Sequence, residues 1–376
     1  MLKRKTVNKL DKHLIVLVGL PASGKSSTVS GYIKSLDEDG KSRVKVLSSD
    51  DIRAEITSGN PQYTGNEHKH VFSVLNQRAK IYLEDDETRE VIYDATNLSR
   101  KKRIHLINNE LKDFDTKTAW YLTKHPYLSM QHDKERVKSV GSEYMNRSFI
   151  GATVPSKAEG FDYVKYISNK FTGDSSPFES TVDKCLLELD RGVDEEQFQF
   201  ITERLYREFN KFYNMDQNNN HHSKTLGSHL YHTYKNVMNM QGMIRKEGLS
   251  VYFHELILAA VLHDIGKYHT KEDLPGRSVY YRHENVSTQI AAHLICRHPT
   301  LLDKSVVLDL ISYHMFLMDK NSRVKLKITE VIGDDGFVFK SPVKSIDKKQ
   351  GRRNLNINNT TLELLSLLHL ADVNAK

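Results

Sequence analysis

Cysteine is nearly absent from this chain, with only Cys185 and Cys296 among 376 residues. Two thiols cannot build the disulfide framework that staples small secreted domains. Long apolar runs are missing as well. Leu14–Val18 is far too short to span a bilayer, and the mean hydropathy of −0.55 points the same way. The first residues show no charged start followed by an apolar stretch and a cleavage site. These absences lead us to expect a soluble protein of a reducing compartment, the cytoplasm, with no membrane among its partners.

Neither sign of charge dominates. Fifty-five Lys and Arg stand against 48 Asp and Glu, giving a net charge of +7 and a pI near 9.0. That mild excess fits a polyanionic partner without identifying one. Basic clusters at Lys3–Lys5, Arg100–Arg103 and Lys348–Arg353 are more pointed, although each read alone fits a solvated surface equally well.

A chain of this length has room for two or three domains, and its patterning implies two. From Leu14 to about Ile167, short β-rich runs alternate with amphipathic stretches, as a parallel sheet flanked by helices requires. The expected strands are Leu14–Val18, Val44–Leu47, Glu90–Tyr93 and Thr116–Tyr121. Thr172–Pro177 is rich in Thr, Gly, Asp, Ser and Pro and marks a boundary. A helix is expected over Asp194–Tyr213, followed by a polar loop, Asn218–His222. Beyond Ser223 the apolar spacing is helical at Leu230–Ile244, Phe253–Leu262, Val286–Cys296, Val306–Met315 and Thr361–Ala371. Val324–Val343 alternates around Gly333–Gly336 and predicts an inserted β-hairpin. The expected division is therefore an α/β domain over residues 1–170, a helical linker over 171–222, and an all-α bundle with a small hairpin over 223–376.

Gly19-Leu-Pro-Ala-Ser23-Gly24-Lys25-Ser26 matches G-x-x-x-x-G-K-[ST] and sits between an apolar strand and a helix-forming stretch. In that setting the backbone N–H groups of Gly19, Ser23, Gly24, Lys25, Ser26 and Ser27 cradle phosphates at a helix N-terminus. Lys25 neutralises the β and γ phosphates and Ser26 ligates Mg²⁺. ATP or another nucleoside triphosphate with Mg²⁺ is the expected cofactor. Asp50-Asp51-Ile-Arg53 follows the second strand and Asp94-Ala-Thr96-Asn97 the third, so both lie at carboxyl ends of strands beside the phosphate loop. A carboxylate there can take a proton from an attacking hydroxyl, and an arginine nearby can hold a substrate phosphate.

In this order, the P-loop, Asp50–Arg53 and Asp94–Asn97 resemble the polynucleotide 5′-kinases of phage and bacterial nucleic-acid repair. Val154–Asp162 is similar to the closing signature of that wider kinase family. The resemblance covers residues 14 to about 167 and implies that Asp50 is the general base and that Arg53 grips the acceptor's neighbouring phosphate. It also implies that Thr96 and Asn97 line the acceptor channel and that Asp94 lies near the metal. Arg136, in Lys134–Lys138, matches the arginine of a lid that closes over the triphosphate, where a cation stabilises the transferring phosphoryl group. A second lid cation expected four positions earlier falls at His132, and Lys138 is the other candidate.

The second half carries His263-Asp264 at the end of an apolar stretch, with Lys267 one helical turn on. An Asp and His donor set suits Mn, Ni, Co, Zn or Fe. His232 lies upstream, His283 and His314 downstream, and Asp372 near the last residue. This series resembles the HD phosphohydrolase superfamily. The resemblance implies that His232, His263, Asp264 and Asp372 bind one metal, and that His283 and His314 bind a second bridged by Asp264. Lys267 would assist a phosphate oxygen. Of the remaining histidines, His254, His269, His293 and His298 read as structural, and so does His229, the first exception to consider.

Joined, the halves resemble the HD-domain polynucleotide kinases with the domain order inverted. They imply a bifunctional end-healing enzyme that phosphorylates 5′-OH ends and removes 3′-phosphate or 2′,3′-cyclic phosphate. Its partners would be RNA or DNA ends, with a ligase acting downstream. One rival reading is a small-molecule nucleotide or nucleoside kinase fused to an HD nucleotide phosphohydrolase. Another is a nucleotide-gated nucleic-acid-binding switch with decayed hydrolytic sites, against which the intact Lys25, Asp50, His263 and Asp264 argue.

Overall fold

The computed structural model describes residues 11–57, 65–168, 181–218, 224–297, 299–317, 350–351 and 353–375. The expected hairpin at 324–343, the boundary at 172–177, and most of the loop at 218–222 lie outside them, as do the basic residues at 3–5 and most of the cluster at 348–353.

β1 (His13–Val18) forms the centre of a five-stranded sheet in the order β2-β3-β1-β4-β5, with every pairing parallel. A parallel strand covered on both faces must be apolar throughout. Accordingly Leu14, Val16 and Val18 enter one core while Ile15 and Leu17 enter the opposite one with Val29, Ile92 and Trp120. The other strands are β2 (Val44–Ser48), β3 (Glu90–Asp94), β4 (Thr116–Leu122) and β5 (Tyr163–Ile167). β5 is an addition to the four expected strands. It is an edge strand, only partly buried, so its apolar signal is weak.

The longer helices of this half are α1 (Lys25–Ser35), α2 (Ser49–Thr57), α3 (Gly65–Glu84), α4 (Arg100–His105), α5 (Pro126–Lys134) and α6 (Ser142–Gly151). α4 is locked by an ion pair buried in the core. Arg103 donates to both Glu159 carboxylate oxygens at 2.8 and 2.6 Å and to the carbonyls of Asn97, Leu98 and Thr153. The Arg100–Arg103 cluster is therefore not a basic surface as a whole. Arg103 is 1% exposed and Arg100 points into the protein, which leaves Lys101 and Lys102 in solvent.

The second half is helical: α7 (Thr181–Leu189), α8 (Glu195–Leu205), α9 (Phe209–Phe212), α10 (Leu226–Asn239), α11 (Phe253–Leu262), α12 (Lys267–Thr270), α13 (His283–Cys296), α14 (Lys304–Tyr313) and α15 (Asn359–Val373). The helix expected over 194–213 is broken at Tyr206, which takes an extended backbone so that its ring can pack near Phe212. α8 begins with a capping box between Asp194 and Gln197. The only β-structure in this half among the described residues is a small antiparallel pair, β6 (Glu272–Leu274) with β7 (Arg277–Val279), and an isolated bridge between Asp216 and Thr225. Cys185 and Cys296 are both buried thiols. No helix among the described residues is long and apolar enough to cross a membrane.

Candidate phosphate and metal sites

The phosphate loop turns because Gly24 adopts φ 97°, a conformation that favours glycine, immediately before α1. The Lys25 ammonium folds back onto the carbonyls of Gly19 and Leu20 at 3.1 and 2.9 Å. Burial lowers its pKa to about 8, with Asp94 and Asp50 opposing the shift and Arg136 adding to it. Burial, together with Asp50 and Asp51, raises Asp94 to about 6 against the pull of Lys25. Lys25, Asp50, Asp94 and Arg136 thus share one electrostatic neighbourhood.

Asp50 stands exposed in the first turn of α2 and forms an ion pair with Arg53 one turn on. Thr96 belongs to the loop after β3, and its carbonyl accepts from Gly19 N–H at 3.1 Å, which ties that loop to the phosphate loop. Asn97 follows in the same loop. Its backbone is left-handed at φ 45°, and its side-chain amide donates to Leu17 O at 2.7 Å. That amide therefore holds the loop against β1.

Arg136 lies in a turn just beyond α5, 3.6 Å from the buried Asp133. Asp133 also accepts from Ser139 Oγ and Val140 N–H, so one carboxylate fixes both ends of this turn. His132 contacts Lys124 Nζ, which also donates to Ala22 O of the phosphate loop at 2.9 Å, whereas Lys138 is exposed. Lys124 was not foreseen. It lies just beyond β4, outside any recognisable motif.

In the helical half, five side chains from five separate segments converge on Asp264. One set comprises His229, His263, Asp264 and Asp372, and the other Asp264, His283 and His314. All are buried, and within each set the donor atoms lie within 4.8 Å of one another. Asp264 faces both ways. Its Oδ2 lies 3.3 Å from His229 Nε2 and 3.5 Å from His263 Nε2, while its Oδ1 lies 3.0 Å from His283 Nε2 and 3.5 Å from His314 Nε2.

Ring orientation follows from the backbone. Nδ1 of His263, His283 and His314 lies 3.0, 2.8 and 2.7 Å from the carbonyls of Ala260, Tyr280 and Ile311, which leaves each Nε2 facing Asp264. His263 Nε2 is buried between two carboxylates, 3.5 Å from Asp264 and 3.7 Å from Asp372. Gly266 permits the close approach of α12 to α13, because a Cβ there would lie 2.2 Å from His283 O. Burial opposes charge on His283, but Asp264 raises its pKa, and burial lowers that of His314. Despite burial, Lys267 and the histidines hold Asp264 well below the usual carboxylate range.

His232, expected as a ligand, is not brought into this cluster. It is only half-buried on α10 and bonds its own helix at Ser228 O, whereas His229 is fully buried and lies 3.1 Å from Asp372. The spacing from His263 does not separate two histidines three residues apart, and burial does. Asp372 is carried in by α15, whose Leu364, Leu365, Leu367 and Leu368 are buried, and Asn236 of α10 donates to Ala371 O beside it. Lys267 Nζ lies 2.5 Å from Asp264 Oδ2 and donates to Gln217 Oε1 at 2.8 Å. Gln217 is fully buried and carries no signal in the sequence.

Residues 14–110 match the family model for the AAA domain, and residues 227–367 match that for the HD domain. No curated protein matches the chain. Among solved structures it is similar to a chain described as "Structure of Pnkp1/Rnl/Hen1 complex", at 17% identity and a TM-score of 0.29, over 37% of this chain and 44% of that one. The match therefore spans less than half of the solved chain. The phosphate loop and much of the parallel sheet thus fall where the AAA-domain model matches, and the clustered histidines fall in the helical half, where the HD-domain model matches.

Proposed function

We propose that the chain heals nucleic-acid ends, with residues 1–170 transferring phosphate from ATP to a 5′-hydroxyl and residues 223–376 removing a 3′-phosphate or 2′,3′-cyclic phosphate. The reading rests on one observation: an ion pair, Asp50 with Arg53, stands beside an intact phosphate loop in the same chain as the two-faced Asp264 cluster.

On the kinase side, Asp50 would take the proton of the attacking hydroxyl and Arg53 would hold the adjoining phosphate of the acceptor. Asp50 is exposed, so an incoming strand end can reach it. Lys25 and Arg136 would meet the charge that develops on the transferring phosphoryl group, and Ser26 would ligate Mg²⁺. On the hydrolytic side, the donor set suits one or two divalent ions among Mn, Ni, Co, Zn and Fe. Bound there, such ions supply an activated water and neutralise phosphoryl oxygens. His229, His263 and Asp372 would hold one ion, His283 and His314 the other, and Asp264 both. Lys267 would meet a phosphate oxygen, oriented by Gln217.

Both ends of an oligonucleotide bearing 5′-OH and 3′-phosphate should be converted in one incubation with ATP and Mn²⁺. A ligase acting downstream needs both products. Phosphate transfer to mononucleosides with none to oligonucleotides would overturn the polynucleotide assignment.

A further inference from the structure

The two halves of the metal cluster are supported differently. The His229, His263 and Asp372 half is held from inside the helical body, by His263 Nδ1 on Ala260 O and by Asn236 on Ala371 O. The His283 and His314 half sits on α13 and at the end of α14, and both helices dock on the P-loop domain. Gln289 of α13 donates to Phe149 O and Ala152 O at 2.8 and 3.1 Å, and His293 Nδ1 lies 2.9 Å from Thr123 O.

At α14 the contact is more specific. Arg100, the first residue of α4, reaches across and donates through Nη2 to Ser312 Oγ at 2.5 Å. Its guanidinium lies 4.6 Å from the centroid of the Tyr313 ring. Ser312 and Tyr313 directly precede His314. Tyr313 is 1% exposed, so its ring has one place to be, and His314 follows from it. On its other side Arg100 is held by Glu159 at 3.5 Å, and Glu159 is itself fixed by Arg103. A planar guanidinium that stacks and hydrogen-bonds at once fixes both position and orientation, which an ammonium cannot do.

We propose that Arg100, a residue of the kinase-like domain, is a positioning residue for the second metal half-site, clamping Ser312-Tyr313 so that His314 Nε2 faces Asp264 and His283. The inference rests on the reading that the cluster binds two divalent ions, and is independent of which nucleic acid is the substrate. It makes the second half-site a product of domain docking, while the first belongs to the HD body alone. Arg100 also lies three residues after Asn97, so the loop on the kinase's acceptor side and the second half-site are parts of one structural unit.

Full-length wild type and Arg100→Ala would be titrated with Mn²⁺ by calorimetry, with electron paramagnetic resonance used to detect a spin-coupled ion pair. Wild type should take two equivalents and show the coupled spectrum. Arg100→Ala should keep the first equivalent at wild-type affinity, bind the second roughly 10–100-fold more weakly, and lose the coupling, as when an outer support of a metal ligand is removed. Because Glu159 keeps Arg103 as partner, the variant should fold. Should it not, Arg100→Lys and Ser312→Ala make the same test, with Lys101→Ala as the exposed neighbour that should change nothing. Two equivalents of unchanged affinity in folded Arg100 and Ser312 variants would overturn the role of Arg100, as would equal weakening of both equivalents. A wild type that binds a single equivalent would overturn the two-ion reading itself.

Discussion

His229 Nε2 lies 3.1 Å from Asp372 Oδ1, joining α10 to the final helix at the point where both face Asp264. Their convergence separates two neighbouring histidines. His229→Ala should cut affinity for the first metal equivalent by more than about 100-fold, since losing even an outer partner of a ligand costs roughly 10–100-fold. His232→Ala should leave it unchanged. Metal content after dialysis, read beside phosphohydrolase activity, decides the matter. The reverse pattern would restore His232 as the ligand.

Asp50→Ala should lower 5′-phosphorylation by roughly 10²–10⁴-fold, the usual span for general acid–base catalysis, with ATP affinity retained. Lys25→Ala should instead weaken nucleotide binding. Single-turnover transfer and equilibrium ATP binding separate the two. An unchanged rate in Asp50→Ala would remove the general-base assignment.

Burial holds Lys25 at about 8 in the free protein, so its amine is ionised below that pH and largely neutral above it. Triphosphate binding favours the ammonium, so binding above about pH 8 must take up a proton. Apparent ATP affinity should therefore be flat below about pH 8 and fall with rising pH above it, approaching about tenfold per pH unit. Binding measured from about pH 7 to about pH 9 checks this, and Lys25→Arg, whose guanidinium stays charged, should flatten the profile.

The parts of this protein that were legible in sequence are those whose chemistry is local. The phosphate loop needs consecutive residues on one turn, and His263-Asp264 are neighbours, so both could be read directly. β1 declared itself because a doubly covered strand is apolar along its buried length, here Leu14 to Val18, whereas the edge strand β5, with Lys165 in its middle, did not. Choosing between His229 and His232 needed the burial of α10, which depends on helices more than a hundred residues away. Gln217 and Lys124 are ordinary polar residues until the fold sets them beside Lys267 and the phosphate loop. Arg100 and Arg103 were misread as part of a basic surface for the same reason, because their partners Glu159 and Ser312 are distant in sequence.

Arg103 offers a test of the fold itself. Its guanidinium and Glu159 are both fully enclosed. Removing Arg103 would leave the buried Glu159 carboxylate only the more distant Arg100, 3.5 Å away, so the cost approaches the about 3–5 kcal/mol of a broken buried pair. Arg103→Ala should therefore lower the melting temperature of the P-loop domain by about 2–4 °C per kcal/mol lost, the scale for a domain of this size. Arg103→Ala combined with Glu159→Gln should recover part of the loss, since the stranded charge is gone. A double variant no more stable than the single one would show that packing, not charge, sets the cost.

Asp372→Asn is the most exposing test of the HD site. Asn keeps the shape of Asp and can still accept a hydrogen bond, so α15 should remain docked through its buried leucines and the Asn236 contact to Ala371. What changes is the charge facing His229 and His263, and a neutral amide is a much poorer partner for a divalent ion than a carboxylate. Metal content and phosphohydrolase activity should therefore fall together, while 5′-phosphorylation and the unfolding transition stay as in wild type. Asp264→Asn should be more severe, because its carboxylate faces both ligand sets. If Asp372→Asn keeps full occupancy and activity, the carboxylate lies beside the metal without binding it, and the final helix serves only to close the core.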